Sequence, residues 1–134
     1  MTALIENYDD VKMAEAGFIA ETAVRRIEFH YARVDTGATL VSMPLRLIEQ
    51  LGLKKIKTAH AKTVTGLVPF GIYEQVKLTI QGRDCEVRVM EVADEYAVSI
   101  GKMPLALLDF VVDPKGQTLV GNPDHGGDYV VDMY

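Results

Sequence analysis

The sequence predicts a mostly β protein, and three patterns carry that reading: an alternating run from Val24 to Asp35, a hairpin over residues 76–89, and a second hairpin near residues 110–120. In the first run Ile27, Phe29 and Tyr31 fall on one face and Arg26, Glu28 and His30 on the other, the period of a half-buried strand. Val76, Leu78 and Ile80 alternate in the same way, Gln81-Gly82-Arg83-Asp84 supplies turn residues, and Cys85, Val87 and Val89 alternate again. The third pattern pairs Phe110-Val111-Val112 with Thr118-Leu119-Val120 across Asp113-Pro114-Lys115-Gly116. Before Val24 the chain mixes acids with isolated apolar residues, so residues 1–22 read as an N-terminal arm containing a short helix or irregular backbone.

Two short helical runs interrupt the strands and resemble each other: Met43-Pro44-Leu45-Arg46-Leu47-Ile48 and Met103-Pro104-Leu105-Ala106-Leu107-Leu108. A proline opens each, tolerated in a helix's first turn because its missing N–H has no intrahelical partner there. Leu45, Ile48 and Leu51 form one apolar stripe, which Gly52 ends in a left-handed conformation. A strand ending in glycine, Val98-Ser99-Ile100-Gly101, precedes the second run. The chain therefore reads as two similar halves, each a strand, a corner and a helix.

Composition narrows the function classes. With 134 residues the chain supports one domain, spanning residues 1–134. Its 14 basic residues are scattered against 19 acidic ones, for a formal charge of -5, which disfavours nucleic acid as a partner. No run approaches the roughly 20 apolar residues that span a bilayer. The single cysteine, Cys85, falls on an apolar strand face and reads as a core residue, and a reducing cytoplasm is the expected compartment. His30, His60 and His125 stand too far apart for a metal cluster and read as surface or turn residues. Glu49, Asp109 and Asp113 are given structural roles.

Asp35-Thr36-Gly37-Ala38 is the most informative stretch: a carboxylate, a small hydroxyl residue and a glycine at a strand-to-loop corner. Peptide hydrolysis without metal or covalent intermediate needs a base to activate water and an acid to protonate the amide oxygen. Two carboxyls held about 3 Å apart cannot both ionise, so they share one proton and serve both roles. The chain has one such corner, so the second carboxyl must come from another copy. Gly37 lets two corners approach at a symmetry axis, the Thr36 hydroxyl can bond across it, and Ala38 adds no hydroxyl donor to the carboxylate.

The run Val34-Asp35-Thr36-Gly37-Ala38-Thr39, the later Ser99-Ile100-Gly101 before a helix, and the small size resemble the retropepsin-like (retroviral-type) aspartic proteases. Leu51-Gly52-Leu53, residues 108–114 and residues 121–127 look like the small prokaryotic members of that clan. The resemblance implies a closed antiparallel β-barrel with one or two short helices. It also implies a homodimer with one catalytic aspartate per subunit, Asp35, supported by Thr36, Gly37, Ala38, Ile100 and Gly101. A flap over the cleft is implied within residues 63–73, where Gly66 and Gly71 would bend and Leu67, Val68 and Phe70 would cover an apolar side chain. Ser99 departs from the family, which usually has an apolar residue there. Residues 129–134 would interleave with the partner in a dimer sheet.

The expected activity is that of a cytoplasmic aspartic endopeptidase with no cofactor or metal, acting on a peptide or protein. Two rivals keep the fold: a catalytically silent dimeric peptide-binding or assembly module, and a monomeric barrel that binds a small ligand.

Overall fold

A computed structural model describes residues 1–113 and 118–130. Ten strands and three α-helices follow in order: β1 (Ala3–Asn7), α1 (Tyr8–Glu15), β2 (Arg26–Phe29), β3 (Arg33–Val34), β4 (Val41–Pro44), α2 (Leu45–Gln50), β5 (Lys55–Thr63), β6 (Gly66–Ile80), β7 (Arg83–Val92), β8 (Ser99–Ile100), α3 (Lys102–Leu107), β9 (Phe110–Asp113) and β10 (Thr118–Gly121). Short 3-10 turns lie at Glu21–Ala23 and Pro123–His125.

Eight strands make one curled sheet in the order β2-β1-β6-β7-β4-β8-β3, with β5 paired to β6. The sheet is mostly antiparallel, in line with the expected fold, but β4 runs parallel to β7 and β3 parallel to β8. Parallel pairing arises because each of these partners is reached through an intervening excursion of the chain, not through a tight turn. Among the described residues no ladder joins β2 to β3, so the sheet is a half-barrel and not a closed one. Its two ends are nonetheless near each other. Only residues 30–32 separate them in sequence, and four residue steps span at most about 14 Å.

That link corrects the expected single strand from Val24 to Asp35. The chain turns outward at His30 and Tyr31, leaving Tyr31 90% exposed, and Ala32 then exchanges backbone hydrogen bonds with Met1. Residues 26–29 pair with β1, whereas 33–34 cross to pair with β8.

The expected N-terminal arm contains an interior strand. β1 lies between β2 and β6, with Ala3 and Ile5 fully buried. Its sequence hides this because two buried positions are polar. Glu6 is paired with Arg26 at 3.0 Å; Asn7 donates to the Leu51 carbonyl and accepts from the Asp10 N–H, which caps α1. The hairpin expected over 76–89 is present as β6 and β7, turning at Gln81 and Gly82, both left-handed. The second expected hairpin is also present, as β9 and β10; its turn lies, from Pro114 on, outside the described residues.

Below the sheet, Ile5, Val41, Met43, Ile48, Leu78 and Ile100 are fully buried in one apolar cluster. Leu119 and Phe110 carry the β9–β10 hairpin onto it. Cys85 lies in the same cluster, and burial pushes its thiol up to about 12, which suits the expected core role.

Candidate active-site corner

β3 ends at Val34, and the backbone then leaves the sheet in a turn closed by the Ala38 N–H donating to the Asp35 carbonyl at 3.1 Å. The Gly37 N–H donates to Asp35 Oδ1 at 3.0 Å, so the carboxylate is oriented by its own loop. Asp35, Thr36 and Gly37 are exposed, and Ala38 is half-buried.

What holds this loop is the second corner. The Asp35 N–H donates to the Ile100 carbonyl at 3.0 Å, and Gly101 returns the bond to Leu40 at 2.9 Å. Lys102 and Met103 donate to the Ala38 and Thr39 carbonyls, each at 3.0 Å. These donors open α3, whose first N–H groups have no intrahelical acceptor, so the Asp35 loop supplies the missing carbonyls. A Cβ on Gly101 would stand 2.5 Å from the Leu40 carbonyl oxygen and 2.8 Å from that of Ala38. Glycine is therefore required for the two corners to touch, while the Gly101 backbone itself has an ordinary φ of -83°. Ile100, fully buried, anchors the pair from below. The structure thus brings together Asp35, Thr36, Gly37, Ala38, Ile100 and Gly101.

Cavities flank the corner. Asp35 lines a pocket of about 200 Å³ with Ser42, Met90, Val92, Tyr96 and Ser99. Thr36 borders a separate groove of about 690 Å³ that reaches Met1, Gln81, Val112 and Leu119.

β5 and β6 form a long hairpin whose tip lies at Val64 and Thr65, clasped by Thr63 Oγ1 donating to the Gly66 carbonyl at 2.8 Å. Residues 63–73 are the tip and one arm of this hairpin, and β5 is the other arm. Gly66 is beside the tip with φ at 117°, but Gly71 is buried within the strand, where an added Cβ would stand 2.7 Å from the Tyr73 ring, away from any bend. Strand alternation splits the three expected covering residues. Val68 and Phe70 pair with Ala61 and Ala59, and share their face with Ile72, paired to Lys57. Ala59, Ile72 and Lys57 line a groove of about 500 Å³ that extends to Leu40 and Met103. Leu67 is on the opposite face.

Matching bulges mark the hairpin's base, one in β5 between Lys55 and Lys57 and one in β6–β7 pairing between Tyr73 and Gln75. Lys54 and Glu74 clasp there, the Lys54 N–H donating to Glu74 Oε1 at 2.7 Å and the Glu74 N–H to the Lys54 carbonyl at 3.0 Å. Nearby, the Tyr73 hydroxyl donates to Glu91 at 2.7 Å; burial and this carboxylate push the phenol up to about 12.

Sequence reasoning missed a polar cluster centred on Asp109. Its carboxylate is buried and accepts from Asn122 Nδ2 at 3.2 Å and the Val130 N–H at 3.1 Å, with His125 Nδ1 at 2.6 Å. The His125 ring, and behind it the Val130 N–H and the Asn122 amide, hold this carboxyl below the usual carboxylate range against the opposing effect of burial. Arg83 donates to the Leu108, Asp109 and Gly127 carbonyls and stacks on Phe110 and Tyr129. The cluster ties residues 122–130 to the end of α3. No local signal announces it, because its members are 13 to 26 residues or more apart in sequence.

His30 and His60 are exposed, and among the described residues no three His, Cys, Asp or Glu side chains gather closely enough to hold a metal ion. No described helix is long and apolar enough to cross a membrane. The expected dimer strand at 129–134 lies, from residue 131 on, outside the described residues.

No protein-family model matches the sequence, and no curated protein does. Among solved structures, the chain is similar to the solution structure of the simian foamy virus (mac) protease, with a TM-score of 0.45 and 24% identity over 62% of this chain and 84% of that one. It is also similar to the EIAV protease in complex with the inhibitor HBY-793, with a TM-score of 0.43 and 18% identity over 79% of this chain and 83% of that one.

Proposed function

We infer that the chain is an aspartic endopeptidase that acts as a homodimer. The observation that carries this reading is the exposed Asp35 carboxylate, oriented by the Gly37 N–H on a loop that is locked to the Ile100-Gly101 corner. An acid required only to make a turn needs no second corner beneath it. β3 ends the sheet path, so the Asp35 loop stands at the rim, where a two-fold axis can set it against the partner subunit's Asp35.

In the dimer the two carboxyls share one proton. The ionised one takes a proton from water as the oxygen attacks the peptide carbonyl; the protonated one donates to the carbonyl oxygen. Collapse of the resulting gem-diol, with proton transfer to the amine, breaks the C–N bond. The peptide would lie extended beneath the β5–β6 hairpin, with Val68 and Phe70 on the covering face and Gly66 beside the tip.

Incubation with a mixture of unstructured peptides, followed by mass spectrometry, tests the activity. Asp35→Asn should lower cleavage by at least about 1,000-fold while circular dichroism and solution mass stay unchanged. Persistent cleavage by that variant would remove Asp35 from the chemistry. A chain that cuts peptides while remaining a monomer in sedimentation would rule out the shared pair.

A further inference from the structure

The sheet has two faces at β4, and they differ in a way the core does not explain. Val41 and Met43 point into the core and are fully buried. Ser42, between them, points to the other face, where the ladder sets it beside Met90 of β7 and Ser99 of β8. All three line the 200 Å³ pocket that Asp35 borders. Ser42 is only 4% exposed, yet its hydroxyl makes no hydrogen bond to another described group and keeps an opening onto the pocket. Ser99 Oγ has one long contact, to the Ala97 carbonyl at 3.4 Å. Two hydroxyls with spare hydrogen-bonding capacity, those of Ser42 and Ser99, thus share one small pocket with the apolar side chains of Met90 and Val92.

We propose that this pocket is a substrate subsite selective for a short side chain that carries both a hydrogen-bonding group and an apolar portion, with threonine the best fit and serine and asparagine next. The proposal rests on the peptidase reading and specifies its substrate. A purely apolar side chain entering the pocket would seal the Ser42 hydroxyl from water with nothing to bond, whereas a hydroxyl or amide would pair with it. The methyl of threonine would meet Met90 and Val92. Because Asp35 borders the same space, the selected residue stands close to the bond that is cut.

The test is a set of peptides identical except at the residues flanking the scissile bond, where threonine is exchanged for its isostere valine and asparagine for leucine. Wild-type enzyme should cut the threonine peptide with kcat/KM about five- to tenfold above the valine peptide, the worth of one hydrogen bond. Ser42→Ala should bring that ratio close to one, and Ser42→Val should favour valine. A purely structural Ser42 would change all peptides in proportion and leave the ratio where it was, and that result would overturn the proposal. So would a wild-type preference for valine. Absence of Asp35-dependent cleavage of every peptide is a different failure: it removes the peptidase reading itself, and the subsite with it.

Discussion

The two helical runs have nearly the same residues but not the same frame. In the first, Met43 and Pro44 end strand β4, and Pro44 is the residue before α2. In the second, Met103 and Pro104 are inside α3, with Pro104 third in the helix. Structural equivalence follows the helix ends instead: Leu51 and Leu108 close the helices, and Gly52 and Asp109 follow with φ of 68° and 58°. The matching hexapeptides lie 60 positions apart and the matching helix ends 57, a slide of three residues. Three residues is close to one helical turn, so the slide keeps Ile48 and Leu105 on the buried side while changing what precedes them.

The cause lies in the corners. After Asp35 the chain runs five residues, 36–40, before β4 begins, which makes an exposed loop that can carry a carboxylate. After Ile100 only Gly101 precedes α3. The second corner has thus become a clamp, donating its N–H groups to the first. At the other end of α3, Asp109 occupies the left-handed position that Gly52 fills after α2. Aspartate tolerates that conformation better than most residues, and its carboxylate gathers Asn122, His125 and Val130.

The methionines should show the difference between the copies most strongly. Met43→Ala, at a fully buried site, should lower unfolding free energy by about 2–5 kcal/mol. Met103→Ala, at a site 45% exposed, should lower it by less than about 1 kcal/mol, measured by urea denaturation. Equal losses would mean that the two frames are not distinct.

The corner glycines give a smaller contrast. Gly101→Ala should cost about 1–3 kcal/mol, because its Cβ meets backbone atoms that cannot step aside. Gly37→Ala, whose Cβ would stand 3.2 Å from Asp35 Oδ1, should cost under about 1 kcal/mol and instead disturb the carboxylate. Its expected signature is reduced peptide cleavage at nearly unchanged urea midpoint.

The αL acid gives the subtlest difference. Asp109 titrates below its unfolded value, so its contribution is complete above about pH 4 and is lost as pH falls through the lower folded value. Acid unfolding monitored by circular dichroism should therefore shift to a lower proton requirement, with a shallower slope in that window, in Asp109→Asn. An unchanged acid transition would show that the pair with His125 does not bear on folding.

Local signals were enough for much of this chain. Turn residues and period-two alternation placed the β6–β7 and β9–β10 hairpins, and Asp-Thr-Gly at a strand end marked the corner, because each depends on neighbours within a few residues. β1 was not legible, since its buried Glu6 and Asn7 are satisfied by Arg26 and by the Leu51 carbonyl, groups that no local pattern identifies. Nor could the sequence tell which face of β6, that of Val68 and Phe70 or that of Leu67, is the one shared with Ile72 and Lys57 at the groove.

What the amino-acid sequence determined by itself was therefore the set of strands that hairpin turns join and the chemical character of the Asp35 loop. Tertiary structure alone decided that β3 lies beside β8, that Gly101 touches the loop of Asp35, that Ser42 opens onto its pocket and that His125 meets Asp109. The physical reason is distance along the chain. Contacts across tens of residues are selected by the burial and hydrogen bonding of the whole sheet, and the same short segments would satisfy their own propensities equally well in another pairing.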